Sequence, residues 1–393
     1  MKIMQSISLK FSCPVFFTRD LFAQQDNVLL RVLEDDPSRI MFFIDDGVVK
    51  KNKDLPGRLR RWVGLNKKRV QLASPIHIVP GGERIKNKAA ETDAVLKLFK
   101  NYNMCRHSYA IVIGGGAVLD AVGFAASIAH RGLRHIRIPT TVLSQNDSGV
   151  GVKNGLNRFG IKNFLGTFAP PNAVINDSSF LETLSYRDWI SGVAEAFKVG
   201  IIKDESFITY LSAHAGAIRE RSLAVMEDVV KRCAQLHIEH ISNSADPFER
   251  RSSRPLDFGH WAAHRLESMS RNRLRHGEAV AIGMALDLLS AWQLGMLNRR
   301  HATRVIRAMM ACDLPVWDRL LLEKSSRGDL KLLTGLQEFR QHLGGKLTLA
   351  MPHGLGSMKE IHGLPDTIIC RSVSELQKIV LMLPAYKAGH PGN

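Results

Sequence analysis

The sequence predicts a parallel α/β domain followed by an all-helical domain, and three observations predict it. Short apolar runs, each closing on a glycine, aspartate or threonine turn, recur up to Thr141. Helix-like segments alternate with these runs, which is the signature of a parallel sheet covered on both faces. After about Asp177 the strand-like runs thin out and long helical stretches take over. The boundary falls in the segment Pro170–Asn176, giving domains of residues 1–175 and 176–393.

Taken in order, Ile40–Ile44 is a strand that ends at Asp45-Asp46-Gly47, and Ile76–Pro80 is a second that runs into Gly81-Gly82-Glu83. A helix over Lys88–Tyr102 follows, with apolar residues at Ala90, Ala94, Leu96 and Leu98. Tyr109–Ile113 is the next strand, leading directly into Gly114-Gly115-Gly116 and a helical run over Val118–His130. Ile136–Pro139 is a further strand and stops at Thr140-Thr141. Ligands of such sheets lie at the carboxyl ends of the strands, where each of these turns falls. A polar, glycine-rich loop, Gln145–Gly155, comes next. Ser185-Tyr186-Arg187-Asp188 is a capping pattern that opens the helical half. Its helices run over roughly 186–203, 222–243, 256–270, 277–295 and 300–312, and the polar tail from Ala385 to Asn393 frays.

Composition narrows the class. The 393 residues are 45% hydrophobic and 23% charged, the balance of an ordinary globular protein long enough for two domains. Five widely spaced cysteines form no CxxC pair, which fits a reducing cytoplasm and indicates neither a disulfide framework nor a cysteine zinc site. The apolar stretch Tyr109–Ala129 carries Asp120 and a triple glycine, so it reads as strand, turn and helix rather than a membrane span. The net charge is +17, and Lys50–Arg69 holds nine Lys or Arg against one Asp. No aromatic interleaving or binding motif accompanies that stretch, so it reads as a solvated surface whose field would also draw a phosphorylated substrate.

Three histidines sit at spacings that chemistry can use. His260 and His264 are four apart and share a helix face, and His276 opens a second helical run. Such a cluster is either a metal site or a set of polar core residues. Glu195 and Lys198 stand three apart on an otherwise apolar helix, which leaves them little polar face and directs them to a cavity. Glu195, His260 and His276 together would make a His₂Glu set of the composition catalytic zinc uses. Upstream, the Gly114–Gly116 turn lets backbone N–H groups and a helix N-terminus approach a pyrophosphate, although it is not a GxGxxG fingerprint. Asp45 is either a ribose acceptor or a turn aspartate, and Glu83 and Lys86 offer polar groups at the same edge. Asp147 and Lys153, with Lys162-Asn163 beyond them, suit a phosphate or polyol ligand, or else a solvated loop.

These residues lie in ordered blocks: IGGGAVLD, HRGLRHIRIPTTVLSQNDSGVGVKNG, KNFLGTFAPP, GVAEAFKVG, DFGHWAAH and RHGEAVAIGM. From about Ile76 to Gly356 the chain resembles the 3-dehydroquinate synthase superfamily of sugar-phosphate cyclases. The resemblance implies a Rossmann-like NAD-binding α/β domain, an all-helical metal-binding domain, and commonly a homodimer. It implies that Glu195, His260 and His276 hold a divalent metal, usually zinc, and that His264 transfers protons with Glu249 at the family's acidic position. By the same resemblance Arg131, Asp147, Lys153, Asn163 and Lys198 contact substrate and phosphate. Asp45, Glu83, Lys86, Gly114, Gly115, Gly116, Asp120, Thr140, Thr141 and Lys162 contact NAD.

The departures point to a branch. Dehydroquinate synthases usually carry asparagine where Asp257 stands, a lysine within the helix that here reads Leu236–Glu239, and an Asp-Lys-Lys where this chain has Arg340–Gly345. RPLDFGHWAAH and FRQHLGG, which contain Arg254 and His342 as further substrate positions, instead resemble sedoheptulose 7-phosphate cyclases such as 2-epi-5-epi-valiolone synthases. Their substrate has a hydroxymethyl in place of a carboxylate, and an aspartate suits the former and repels the latter. The expected reaction is cyclitol formation with phosphate loss, by transient NAD oxidation, elimination, re-reduction and aldol closure. The rivals are dehydroquinate synthase, a metal-dependent polyol dehydrogenase and a non-catalytic nucleic-acid binder.

Overall fold

A computed structural model describes residues 2–8, 10–243, 255–271, 273–342 and 345–382. The chain divides into two compact units, Met1–Thr183 and Leu184–Asn393. The expected polar tail from Ala385 onward lies outside the described residues. Among the described residues no helix is long and apolar enough to cross a membrane.

The first unit is built on a seven-stranded parallel sheet. Its strands are β1 (Val15–Thr18), β2 (Ser38–Asp45), β3 (Val70–Leu72), β4 (His77–Val79), β5 (Tyr109–Gly114), β6 (Arg134–Pro139) and β9 (Ala173–Asp177). Strands β7 (Lys153–Arg158) and β8 (Ile161–Phe168) form a separate pair. The order across the sheet is β1-β9-β6-β5-β2, with β3 on the first half of β2 and β4 on its second half. Side chains of β2 alternate between two cores, because successive residues of a strand face opposite ways. Ile40, Phe42 and Ile44 pack with Leu55, Leu59 and Trp62, while Met41 and Phe43 pack with Phe99, Val118 and Val122. Phe42 and Phe43 are fully buried, each worth about 3 kcal/mol of apolar transfer.

Parallel register brings the strand ends to one edge. Ile44 of β2 stands beside Ile113 of β5, and Gly114 beside Pro139 of β6. The Thr140 amide continues the ladder by donating to the Gly114 carbonyl at 3.1 Å. The aspartate, glycine and threonine turns therefore share that edge. Strand β9 lies between β1 and β6, so the boundary expected at residue 175 falls inside a strand, and the first unit runs on to Thr183.

The stretch expected as a loop after Gln145 is ordered otherwise. Ser144–Ser148 is a wide, π-helical turn, and β7 and β8 form an antiparallel hairpin. The two residues between them, Phe159 and Gly160, have φ of 54° and 75°, as a hairpin turn matched to strand twist requires. Arg137 of β6, wholly buried, anchors the hairpin's approach. Its guanidinium donates to the carbonyls of Gly149 (3.1 Å), Gly151 (2.9 Å) and Lys153 (2.9 Å) and to Asn154 Oδ1 (2.7 Å). Charge-assisted bonds of this kind, about 1.5–3 kcal/mol each, offset the desolvation of the cation.

The described residues of the second unit are mainly helical and include a short antiparallel ladder, β10 (Leu349–Pro352) with β11 (Met358–Ile361). Ser185 caps Tyr186–Ser191 by accepting from the Asp188 amide, and a break at Gly192 separates that helix from Val193–Lys203. His276–Gln293 is buried from Gly277 to Ala291, as a helix apolar on all sides must be. The helix expected to begin at 256 begins at His260. Gly259 before it adopts φ 78°, a left-handed conformation that stops the Pro255–Asp257 turn from running into the helix.

His135 of β6 gives the first unit a pH dependence. Burial, and secondarily the Arg137 charge, push its imidazole down from 6.5 to about 3. The unfolded chain then binds a proton that the folded chain refuses, so the contribution is complete above the unfolded value and declines as pH falls from about 6.5 toward 3. Thermal or urea unfolding of the wild type should lose up to about 1.4 kcal/mol per pH unit in that window relative to His135→Leu. Parallel pH profiles of the two proteins would remove His135 as the cause.

Candidate active-site residues and metal centre

In the first unit the glycine turn is a tightly filled cradle. A Cβ on Gly81 would lie 2.1 Å from Asp45 Oδ1, one on Gly114 would lie 3.1 Å from Asp45 Cβ, and one on Gly116 would lie 2.5 Å from Ser148 Oγ. Thr141 Cγ2 stands 3.5 Å from the same position on Gly115. The structure thus gathers Asp45, Gly114, Gly115, Gly116, Thr140 and Thr141. Asp45 does cap a turn, accepting from the Gly47 amide at 2.8 Å. Burial nonetheless raises its carboxyl, partly opposed by that amide, and leaves an acceptor beside the glycines. The helix Gly116–Ile128 starts here with no side-chain cap, so its first amides face an anion-binding position. The donors fit a dinucleotide.

Next to this turn, Lys86 and Asp120, expected at NAD, form one cluster with Asn163, expected at the substrate. Lys86, almost fully buried, donates to Asp120 Oδ2 at 2.8 Å and to Asn163 Oδ1 at 2.5 Å. Glu83, exposed, accepts from Asn157 Nδ2 at 2.8 Å, and Lys162 precedes Asn163 on β8. Lys153 is exposed on β7, its carbonyl held by Arg137, while Asp147 lies in the Ser144–Ser148 turn. Arg131 and Asn163 adopt φ of 64° and 54°, left-handed conformations that cost a non-glycine residue about 1 kcal/mol each and concentrate at functional positions.

In the second unit, ligand atoms of Glu195, His260 and His276 all lie within 4.8 Å of one another. Glu195 comes from a helix buried over Val193–Ile202 and is ion-paired with Lys198 one turn on. His276 Nε2 lies 3.9 Å from Glu195 Oε1. The two imidazoles are oriented from behind. His260 Nδ1 donates to the Phe258 carbonyl at 3.1 Å, and His276 Nδ1 points at Glu267 Oε2 at 3.3 Å. With Nδ1 protonated in each ring, both Nε2 lone pairs are available to a cation, the arrangement that metal-binding histidines use. Burial, reinforced by the Lys198 charge, holds His260 well below its ordinary value, so it stays neutral as a ligand must. Two nitrogens and a carboxylate with matched outer partners fit zinc.

His264 joins the imidazole cluster from an exposed position, its ring 5.5 Å from His260 and stacked 6.2 Å from His276. Asp257 is half-buried in the turn before Gly259. Glu249 and Arg254 lie outside the described residues, as does the side chain of His342 at the end of Thr334–His342. The sequence reading overlooked Glu267 and Asp287. Glu267 stands seven residues after His260 and so shares its helix face, a spacing that was available. Asp287 is a lone carboxylate in an apolar run, the same sign that marked Glu195. It accepts from Trp261 Nε1 at 2.8 Å and from the Gly259 amide at 3.1 Å, and burial raises its carboxyl to about 7.

Residues 76–191 match the family model described as 3-dehydroquinate synthase N-terminal, and residues 192–328 the 3-dehydroquinate synthase C-terminal model. A 3-dehydroquinate synthase of Shewanella frigidimarina is 31% identical over 76% of this chain and 81% of its own. A 2-epi-5-epi-valiolone synthase of Streptomyces glaucescens is 34% identical over 74% of this chain and 73% of its own. The structure of ValA, a 2-epi-5-epi-valiolone synthase from Streptomyces hygroscopicus subsp. jinggangensis 5008 with NAD+ and Zn2+ bound, superposes with a TM-score of 0.84 at 26% identity, covering 96% of this chain and 99% of that one. With both family models matched in sequence order, the chain belongs to the 3-dehydroquinate synthase family and is a sugar-phosphate cyclase.

Proposed function

We propose that this cyclase closes sedoheptulose 7-phosphate to a cyclitol with loss of phosphate, using NAD and zinc. Relatives of both names match it to similar degree, so the choice of substrate rests on Asp257. The two candidate seven-carbon substrates differ in a hydroxymethyl against a carboxylate. An aspartate 4 Å from a substrate carboxylate would cost about 4 kcal/mol at a near-surface dielectric, whereas it accepts hydrogen bonds from a hydroxyl. The absence of lysine from Leu236–Glu239 and Arg340–Gly345 supports the same substrate, since Arg340 is the one permanent cation in the two segments and its Nε donates to the Gly345 carbonyl.

The residues divide the work. Asp45, Gly114–Gly116, Thr140 and Thr141 hold NAD, with Glu83, Lys86, Asp120 and Lys162 supporting that end. Glu195, His260 and His276 hold the metal. Bound there, the two groups supply a reversible hydride acceptor and a Lewis acid toward adjacent hydroxyls. His264, exposed beside the ligand histidines, moves protons through its ring with Glu249 as the second acid–base group. Arg131, Lys153 and Lys198 carry the charge of the departing phosphate, and Asp147, Asn163, Arg254 and His342 orient the hydroxyls.

Two measurements test this reading. Sedoheptulose 7-phosphate should release phosphate with no net NADH and with at least about tenfold higher kcat/KM than 3-deoxy-heptulosonate phosphate, a difference of about 1.4 kcal/mol. Asp257→Asn should narrow the gap. Preference for the deoxy-heptulosonate substrate would make the chain a dehydroquinate synthase, and NADH accumulating with product would make it a dehydrogenase. Separately, the purified chain should carry about one zinc, falling below about a tenth of an equivalent in His260→Ala or Glu195→Gln with the far-ultraviolet spectrum retained. Unchanged metal content in both variants would remove that ligand set.

A further inference from the structure

The helices that carry His260 and His276 are locked to each other at a second place, away from the imidazoles. Gly283, on the His276 helix, leaves no room for a methyl: a Cβ there would lie 2.1 Å from the Gly259 carbonyl oxygen. From the other side, a Cβ on Gly259 would meet the Met284 amide nitrogen at 2.9 Å. One turn beyond Gly283, Asp287 reaches across with both oxygens. Oδ2 accepts from the Gly259 amide and Oδ1 from the Trp261 indole, so the two residues flanking His260 are tied to one carboxylate. Asp287 is 1% exposed, and among the described residues no cation pairs with it, so its bonds serve to hold those two groups. Gly259 has no side chain to cap the His260 helix, and the Asp287 carboxylate occupies the place a capping acid would take at that positive helix end.

We infer that Asp287, acting through Gly259 and Trp261, is a positioning residue that presets His260 against His276 and so preorganises the metal centre. This rests on Glu195, His260 and His276 being the ligand set proposed above. His276 opens the very helix that carries Asp287, so a clasp between Asp287 and the start of the His260 helix fixes the separation of the two rings, whose centroids stand 5.3 Å apart. Three ligands from three helices bind a cation tightly only if that separation is fixed beforehand. Without the clasp, the ion itself would have to order the His260 end.

The test uses the full-length chain, stripped with a chelator and titrated with Zn2+ in competition with a chromophoric chelator, and separately with Co2+ for its visible d–d spectrum. Asp287→Asn turns an amide N–H toward the Gly259 amide or the indole, and Trp261→Phe deletes one bond while keeping an aromatic ring. Each should weaken metal binding by about 10–100-fold, the range for outer partners of metal ligands. Each should shift or broaden the Co2+ bands, and the double variant should fall short of the sum of the singles, because both break one coupled clasp. Val305→Ala, a cavity in a separate helix of this unit, serves as the control: it lowers Tm and should leave affinity and spectrum as in the wild type. Should Asp287→Asn fail to fold, Trp261→Phe alone decides. Wild-type affinity and spectrum in the folded variants would overturn the inference while leaving the ligand set in place. A wild-type chain that takes up neither ion would overturn the ligand set and this inference together.

Discussion

Glu195 and Lys198 sit with almost no exposed surface on a helix that is otherwise apolar from Val193 to Ile202, and charges so placed persist only when something opposite is held against them. The same constraint recurs through both units. Arg137 is compensated by three carbonyls and an amide oxygen, Lys86 by Asp120 and Asn163, and Asp287 by an indole and a backbone amide. In each case the compensating groups are drawn from other segments of chain. A buried charge in this protein therefore works as a junction: it obliges two or more segments to meet at a fixed distance, and those segments are the ones that carry the chemistry.

What was legible in the sequence follows from how local the determinants are. The strands over Ile40–Ile44 and Tyr109–Ile113 could be read because unbroken apolar runs announce burial on both faces, and the turns after them because glycine marks close approach. The β7–β8 hairpin escaped notice because Lys153–Arg158 has a single large apolar residue, Leu156, and is held by a guanidinium two segments away and by a turn with phenylalanine in a left-handed conformation. The helix expected from 256 starts late, at His260, for a reason visible only once Gly283 and Met284 are seen against Gly259.

The metal wall shows the same division. The four-residue spacing of His260 and His264 was a helix-face argument and needed nothing else. That Glu195 and His276 reach His260, while His264 remains outside that ligand set, depends on how three helices cross, and no spacing encodes it. Asp120 and Asn163 were expected to touch different ligands, and that they share the ammonium of Lys86 was not legible, because the sequence says which groups are polar but not which of them satisfy one another.

The left-handed pivot at Gly259 has a consequence for how such an enzyme can diversify. Upstream of it, the turn bearing Asp257 is a separate piece of backbone; downstream, His260 is fixed by its helix and by the Phe258 carbonyl behind it. Side-chain chemistry at position 257 can drift without rotating the imidazoles, since the pivot absorbs the change of direction between them. The side chain at 257 can therefore change while the ring at 260 keeps its place, but the backbone between them cannot, because the Phe258 carbonyl that holds His260 Nδ1 belongs to the upstream stretch.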